Sequence, residues 1–309
     1  MLDLRRLRLL DEFARRGSIV ETADALGYSA SAVSQQLTTL EREAGAALLD
    51  RTARSARLTD AGRRLADHAA RILAAVEAAE ADVAARATTP AGRVVVAAFP
   101  SAAVAFAPTV TRELRAFPDL SLVMRQTPDC GLHQLRTGEI DIAVTVDWSG
   151  QPPDGDLDAF TQLFLCRESL LLAVPATHRL ADPAQPIDRA ALLDETWIAA
   201  PAEEPSRQAL DRYLSGALRP GTSPRRVAWE FDGLATLVAL VAREAGIAMI
   251  PRIALAGGRD DIVARELPPP APAFDVYATT RSAALRNPAV TATLAALRVA
   301  ASDLRTQVF

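Results

Sequence analysis

A helix-turn-helix signature at residues 18–40, a heptad seam at residues 62–83 and alternating strand and helix patterns from residue 93 onward predict an α+β protein in two parts. The first part is an N-terminal winged helix-turn-helix followed by a long linker helix. The second is a two-lobed α/β domain. A chain of 309 residues exceeds one ordinary core, so two or three domains are expected. Half of the residues are apolar and 23% are charged, the composition of a globular protein. No apolar run approaches the roughly 20 residues of a membrane span.

Leu4, Leu7, Leu10 and Phe13 lie at helical spacing and predict a first amphipathic helix ending at Gly17. Ser18 is a good N-cap, and Glu21 stands three residues on, at capping-box spacing. Ile19, Ala23 and Leu26 then form one apolar face before Gly27, which takes the positive φ of a turn without steric cost. Ser29 caps the next helix, whose inner face is Val33, Leu37 and Leu40. Its outer face carries Ser31, Ser34, Gln35 and Thr38, which are short, polar and uncharged. Such side chains suit the floor of a DNA major groove, where they reach base edges.

The net charge of −4 gives no sign of a nucleic-acid partner, and residues 1–86 hold 13 Arg against 13 Asp and Glu. The charge is local instead. Arg51, Arg54, Arg57, Arg63 and Arg64 share residues 51–64 with a single acid, Asp60. A basic patch of this kind is the electrostatic footprint of a nucleic-acid site. Every basic side chain is Arg; the sequence contains no lysine. Leu48-Leu49 and Arg57-Leu58 predict two short strands with residues 51–55 as the tip between them. Beside a helix-turn-helix, this is the layout of a wing that sets Arg on the DNA backbone.

Thr59 caps a helix running to about Arg86. Within it Gly62, Leu65, Ala69, Ile72, Val76, Ala79 and Val83 alternate spacings of three and four, a seam that predicts pairing with a second copy of the chain. Residues 87–92 (ATTPAG) break that helix. From Arg93 the pattern reads strand (VVVAAF), helix, strand (LSLVMRQ), helix (CGLHQLRTG), strand (IDIAVTV), which predicts parallel pairing. A second unit follows a loop at residues 149–156: ESLLLAVP (strand), IDRAALLD (helix), TWIAAP (strand), a helix from about Pro205 to Leu218, RRVAWEF (strand), a helix at residues 233–246, and IAMIP (strand). FDVYATT is a last strand, and Asn287 caps a terminal helix that Pro288 opens. The expected division is 1–58 for the winged helix-turn-helix, 59–88 for the dimerisation helix and 92–309 for the α/β domain. Lobe I takes 92–162 and 269–309 and lobe II takes 163–268, with crossings near Gln162 and Pro268.

Ligands bind such sheets beyond the carboxyl ends of the strands. The expected lining is Pro100, Ser101 and Ala102 after the first strand, Thr127 and Asp129 after the second, and Asp147 and Trp148 after the third. The second lobe adds Ala202, Glu203 and Glu204, then Phe231 and Asp232. Ser101 at a helix start favours an anion or polar oxygen. The five acids in the set favour an amine or a neutral ligand. Both readings stay open at the level of sequence.

No Gly-rich phosphate loop, nucleophile elbow or acid–base cluster stands in the strand-end loops, so an enzyme is not expected. Cys130 and Cys166 lack a basic setting that would activate a thiol and read as small core residues. His68, His133 and His178 show no ligand spacing, so neither a metal nor a cofactor is expected. The opening MLDLRRLRLLDEF mixes both charge signs around no long apolar core. A signal peptide is therefore not expected, and a cytoplasmic location is.

Over essentially its whole length the sequence resembles the LysR-type family of bacterial transcription regulators. The resemblance is most specific in residues 1–65: LRRLRLLDEFARRGSIVETADALGYSASAVSQQLTTLEREAG, then LLDRTARSARLTDAGRRL. AAFPS, LRTGEIDIAV and AREAGIAMIP agree more loosely. The resemblance implies a DNA-binding transcriptional regulator with a winged helix-turn-helix, a dimerising linker helix and a periplasmic-binding-protein-like effector domain. It implies double-stranded promoter DNA and a small-molecule effector as partners, and a homodimer or homotetramer with no membrane role. The alternative is a solute-binding protein of the periplasmic type without a DNA function.

By the same resemblance, the base-reading positions fall on Ala30, Ser31, Ser34 and Gln35. Family members often carry Gln and Pro where this chain has Ala30 and Ser31, and Arg where it has Gln35. Ala30 can touch only a thymine methyl, whereas Gln35 can pair bidentately with adenine. Ser18, Gln36, Arg51, Arg54 and Arg57 are expected on phosphates, where contacts position the protein and make binding salt-dependent.

Overall fold

The computed structural model describes residues 1–51, 56–85, 89–127, 131–149, 159–216, 227–256 and 258–306. The N-terminal head opens with α1 (Leu4–Arg16), α2 (Ile19–Leu26) and α3 (Ala30–Ala44). Asp3 caps α1 by accepting from the Arg5 and Arg6 N–H groups, and Ser18 and Ser29 cap α2 and α3. All three helices end on a glycine in the left-handed region: Gly17, Gly27 and Gly45. Leu7, Leu10 and Phe13 of α1 meet Ala23 and Leu26 of α2 and Val33, Leu37 and Leu40 of α3 in one buried cluster. Leu4, expected on the inner face, is instead exposed at the helix start, where the first turn extends past the small core.

The hairpin β1 (Leu49–Arg51) and β2 (Ala56–Leu58) is antiparallel, with Leu49 opposite Leu58 and Arg51 opposite Ala56. The tip, including Arg54, lies outside the described residues. Thr59 joins the hairpin to α4 (Asp60–Ala85): its Oγ1 donates to the Ala47 carbonyl and accepts from the Gly62 N–H. Gly62 is required there, because a Cβ would lie 2.1 Å from the Leu48 carbonyl oxygen.

At 26 residues α4 is about 39 Å long. Its first half packs on α1, burying Ala66 and Ala69. Further along, α4 also meets the turn Ser282–Arg286. The seam therefore divides: Gly62 and Ala69 are buried in the head, while Ile72, Ala79 and Val83 stay exposed in the single chain.

The α/β part holds β3 (Gly92–Ala97), α5 (Pro100–Leu114), β4 (Leu120–Arg125), α6 (Leu132–Thr137) and β5 (Ile142–Asp147). After these come β6 (Phe160–Pro175), β7 (Trp197–Ala199), α7 (Pro205–Ser215), β8 (Trp229–Glu230), α8 (Leu234–Ala242), β9 (Ile247–Pro251), β10 (Ile262–Glu266), β11 (Ala273–Arg281) and α9 (Pro288–Thr306). Among the described residues the strand order is β4-β3-β5-β11-β6-β9-β7-β8, with β10 on β6. β3 pairs in parallel with both β4 and β5, and β7 with β8 and β9; β11 and β6 run antiparallel to their neighbours. α5 packs on α9 over one face of the first lobe, and Leu135 of α6 covers the other. In the second lobe Trp197 meets α7 while its neighbour Ile198 meets α8, as alternation along a strand requires.

Two expectations change. The crossing near Gln162 lies later: β6 pairs with β11 up to Ser169 and with β9 from Leu170. Its 16 residues contain no breaker before Pro175, so one strand serves both lobes. The helix expected at 187–194 is only a short 3-10 turn, Ala191–Asp194. There the buried Trp197 indole donates to the Leu192 carbonyl, which a continuing helix would need.

Glu168 sits at this crossing, buried opposite Phe274, and accepts from the Ile253 N–H at 3.0 Å. Burial pushes its carboxyl above the ordinary range, against the Ile253 N–H and the Arg252 charge. A raised folded-state value means that the folded chain holds this proton to higher pH than the unfolded chain. The group therefore costs stability as pH rises through the raised value. Glu168→Gln is expected to remove that loss, so the melting temperatures of wild type and variant should diverge as pH rises above the ordinary carboxylate range. Parallel melting profiles over that rise would refute the assignment.

Candidate nucleic-acid interface and ligand cleft

The exposed side of α3 is set by what its other side buries. Val33, Leu37 and Leu40 are locked into the head, so Ala30, Ser31, Gln35 and Gln36 face solvent. The Ser31 and Ser29 hydroxyls are hydrogen-bonded to each other at 3.0 Å. Arg51 lies across the same edge: its Nη1 donates to Ser34 Oγ at 2.7 Å and its Nη2 to Thr38 Oγ1 at 3.0 Å. The Glu41 carboxylate stands 3.7 Å from Arg51 and accepts from the Leu48 and Leu49 N–H groups, both at 2.9 Å. One carboxylate thus fixes the hairpin to the end of α3.

The structure therefore brings together residues that the sequence had placed separately. Ser34, assigned to bases, and Arg51, assigned to phosphates, form one hydrogen-bonded unit. Gln36 Oε1 accepts from Arg6, whose guanidinium also chelates Glu43 at 2.6 and 3.0 Å. Ser18 Oγ is engaged as the α2 cap, accepting from the Glu21 N–H at 3.4 Å. Arg57 is exposed, opposite Asp50 in the hairpin. Thr38, expected on the outer face, serves as a partner of Arg51, and Glu41 enters as a residue that sequence reasoning did not assign. Only the return of the chain as β1 gives Glu41 a role.

Between the two lobes lies a cavity of about 710 Å³. Pro100, Ser101 and Trp148 line it from the first lobe, and Glu204 and Asp232 from the second. Ala102 does not: one step along α5 turns it into the core beside Phe106. Asp147 does not either. Val146 and Trp148 line the cavity, and alternation sends Asp147 to the opposite face of the sheet. There its Oδ1 accepts from the Ser149 N–H and Oγ, while its Oδ2 is buried without a partner among the described residues.

Thr127 is also outside the lining; its Oγ1 is buried without a partner among the described residues beside Gly131, where a Cβ would come within 2.8 Å of it. Ala202, Glu203 and Phe231 are exposed and off the lining, and Asp129 lies outside the described residues.

Phe99, Phe274, Arg207 and Arg259 line the cavity without having been expected. Phe274 packs on Trp148 with ring centroids 4.6 Å apart. α5, α7 and α8 all open onto the cavity, and their cap residues Phe99, Glu204 and Gly233 make no side-chain capping bond. Arg207 is held by Asp211, Glu230 and the Ala200 carbonyl. Arg259 chelates Asp261, whose carboxyl this hydrogen bond holds below the usual range.

Residues 4–63 match the bacterial regulatory helix-turn-helix proteins of the LysR family, and residues 87–302 match the LysR substrate-binding domain. The HTH-type transcriptional regulator YfeR of Shigella flexneri is 29% identical over 261 residues, covering 82% of this chain and 79% of that protein. The probable HTH-type transcriptional regulator LrrA of Synechococcus elongatus is 27% identical over 307 residues, covering 98% and 99%. A full-length OxyR point variant from Pseudomonas aeruginosa shares the fold, with a TM-score of 0.62 and 20% identity over 97% of this chain and 98% of that one.

Proposed function

The chain belongs to the LysR family of bacterial transcriptional regulators, and from that premise we propose how its parts divide the work. It is a DNA-binding regulator with an effector-binding domain, which replaces the alternative of a solute-binding protein without a DNA function. Residues 1–58 read DNA, residues 59–88 pair two copies, and residues 92–309 bind the effector between lobes. The regulator works on cytoplasmic DNA rather than as an enzyme.

The observation that carries the reading is the exposed edge of α3, where Ala30, Ser31, Ser34 and Gln35 are uncharged and the Arg51 guanidinium is laid across it. Ala30, Ser31, Ser34 and Gln35 face base edges, and Arg51, Arg54 and Arg57 grip the backbone beside them. Ser18 and Gln36 complete the phosphate contacts. A gel shift with the DNA upstream of the chain's own gene tests this. Retardation is the expected result, and no retardation by any nearby intergenic DNA would overturn it.

The exposed half of the α4 seam supplies the second copy. Ile72 and Val83 leave apolar surface in solvent on a helix with heptad spacing. The Ile72→Asp, Val83→Asp double variant is expected to elute as a 32.9 kDa monomer where the wild type runs as a dimer or tetramer. An unchanged assembly by light scattering would place the interface elsewhere.

Effector binding acts by population shift: it favours one angle between the lobes, which resets head spacing and DNA bend. A footprint and bend that stay unchanged by the true effector, while transcription changes, would rule this out.

A further inference from the structure

We propose that the interlobe cavity takes an organic ammonium: a primary amine carried on an apolar body about the size of one aromatic ring. The inference rests on the effector-binding role of the same cavity and assigns its ligand a chemical class.

The argument is one of available charge. Among the described residues the charged side chains lining the cavity are Glu204, Arg207, Asp232 and Arg259. The two arginines are already occupied. Arg207 is shared between Asp211 and Glu230, neither of which lines the cavity, and Arg259 is chelated by Asp261. The two carboxylates have no hydrogen-bond or ion-pair partner among the described residues, and both are exposed to the cleft. The charge left for a ligand to meet is therefore negative, although the formal sum of the four groups is zero. The opposite wall supplies the complement for the rest of a cation. Phe99, Trp148 and Phe274 line it with aromatic side chains, a residue type that attracts an ammonium and covers an apolar body.

The helix ends sharpen the choice. A free helix N-terminus favours an anion, and three open here. Two of them carry their own acid: Glu204 is the cap residue of α7, and Asp232 precedes the cap residue Gly233 of α8. Only α5, opening at Pro100 and Ser101, lacks one. A carboxylate on the ligand thus has one place to go, at Ser101, and an amine has two acids across the cleft. An amine fits and an amino acid fits, whereas a simple carboxylic acid, even seated at Ser101, leaves Glu204 and Asp232 without a counter-charge. The volume of about 710 Å³ accommodates ligands of this size.

The test uses the full-length protein with three probes of one shape: phenethylamine, phenylalanine and 3-phenylpropionate. Calorimetric titration should show binding of at least one of the two amines, and 3-phenylpropionate should bind roughly tenfold more weakly or not at all. The Glu204→Gln, Asp232→Asn double variant should lose roughly tenfold in amine affinity. Glu203→Gln, whose side chain is off the cavity lining, should retain it.

Binding of 3-phenylpropionate as tight as that of the amines, binding by none of the three, or full amine affinity in the double variant would each overturn the proposal. Gel shifts on the same preparations separate this result from the regulator reading. Retarded DNA without amine binding removes the ligand class alone. Amine binding without retarded DNA removes the regulator role alone.

Discussion

Phe13→Ala is expected to unfold the N-terminal head and abolish DNA retardation while the α/β part keeps its own melting transition. Phe13 is 1% exposed at the centre of a cluster built from three short helices, the hairpin and the first turns of α4. Removing a buried aromatic ring costs about 3–5 kcal/mol. A domain of this size has a margin of about the same magnitude, because small domains bury a smaller share of their surface. The cores of the α/β part share no residue with this cluster, so their unfolding should be unaffected. Two transitions by calorimetry in the wild type, of which only the first is lost in the variant, would be the signature. Retained retardation in Phe13→Ala would show that the head does not depend on this core.

Arg51→Ala is expected to weaken binding to all DNA sequences alike, by ten- to a hundredfold or about 1.4–3 kcal/mol, and to lower the salt dependence by about one phosphate contact. The hydrogen bonds of Arg51 to Ser34 and Thr38 add a second expectation. Ser34→Ala should release the guanidinium as well as delete a hydroxyl from the reading edge. The two substitutions together should then cost less than their sum, since neighbours in one network couple by about 0.5–3 kcal/mol. Additive losses would show that the unit breaks when DNA binds. A changed base preference at unchanged affinity in Arg51→Ala would move this residue from backbone to bases.

The head was legible almost residue by residue because its signals are local. Ser18, Ser29 and Thr59 cap helices, and Gly17 and Gly27 end them, through bonds that span only a few residues. Val33, Leu37 and Leu40 reveal the inner face of α3 by spacing alone, and so expose its outer face. What escaped were long-range partners. Glu41 holds the hairpin and Arg6 holds Gln36 and Glu43, across separations that no periodicity reports.

The cleft was legible less well, and for a different reason. Strand ends were placed correctly enough to find Pro100, Ser101, Trp148, Glu204 and Asp232 on the lining. Which neighbour faces in depends on the phase of a strand or helix relative to the other lobe. That phase sends Ala102 into the core and Asp147 to the far side of the sheet. Phe274, Arg207 and Arg259 arrive from segments far apart in sequence, brought together by β6 running unbroken through both lobes.

Local periodicity, capping and turn chemistry were enough to reveal the order of the parts, the uncharged polar edge of α3 and the presence of a cleft, while the family was legible only from the resemblance of the motifs in residues 1–65. Which charges are still available was settled in three dimensions alone. Arg51, Arg207 and Arg259 carry the same charge along the chain, and nothing in their local sequence tells their partners apart. Folding pairs Arg51 with α3 and ties the other two to carboxylates, leaving Glu204 and Asp232 open to the cavity. A side chain's charge belongs to its residue type, but its compensation depends on what lies within about 4 Å once the chain has folded.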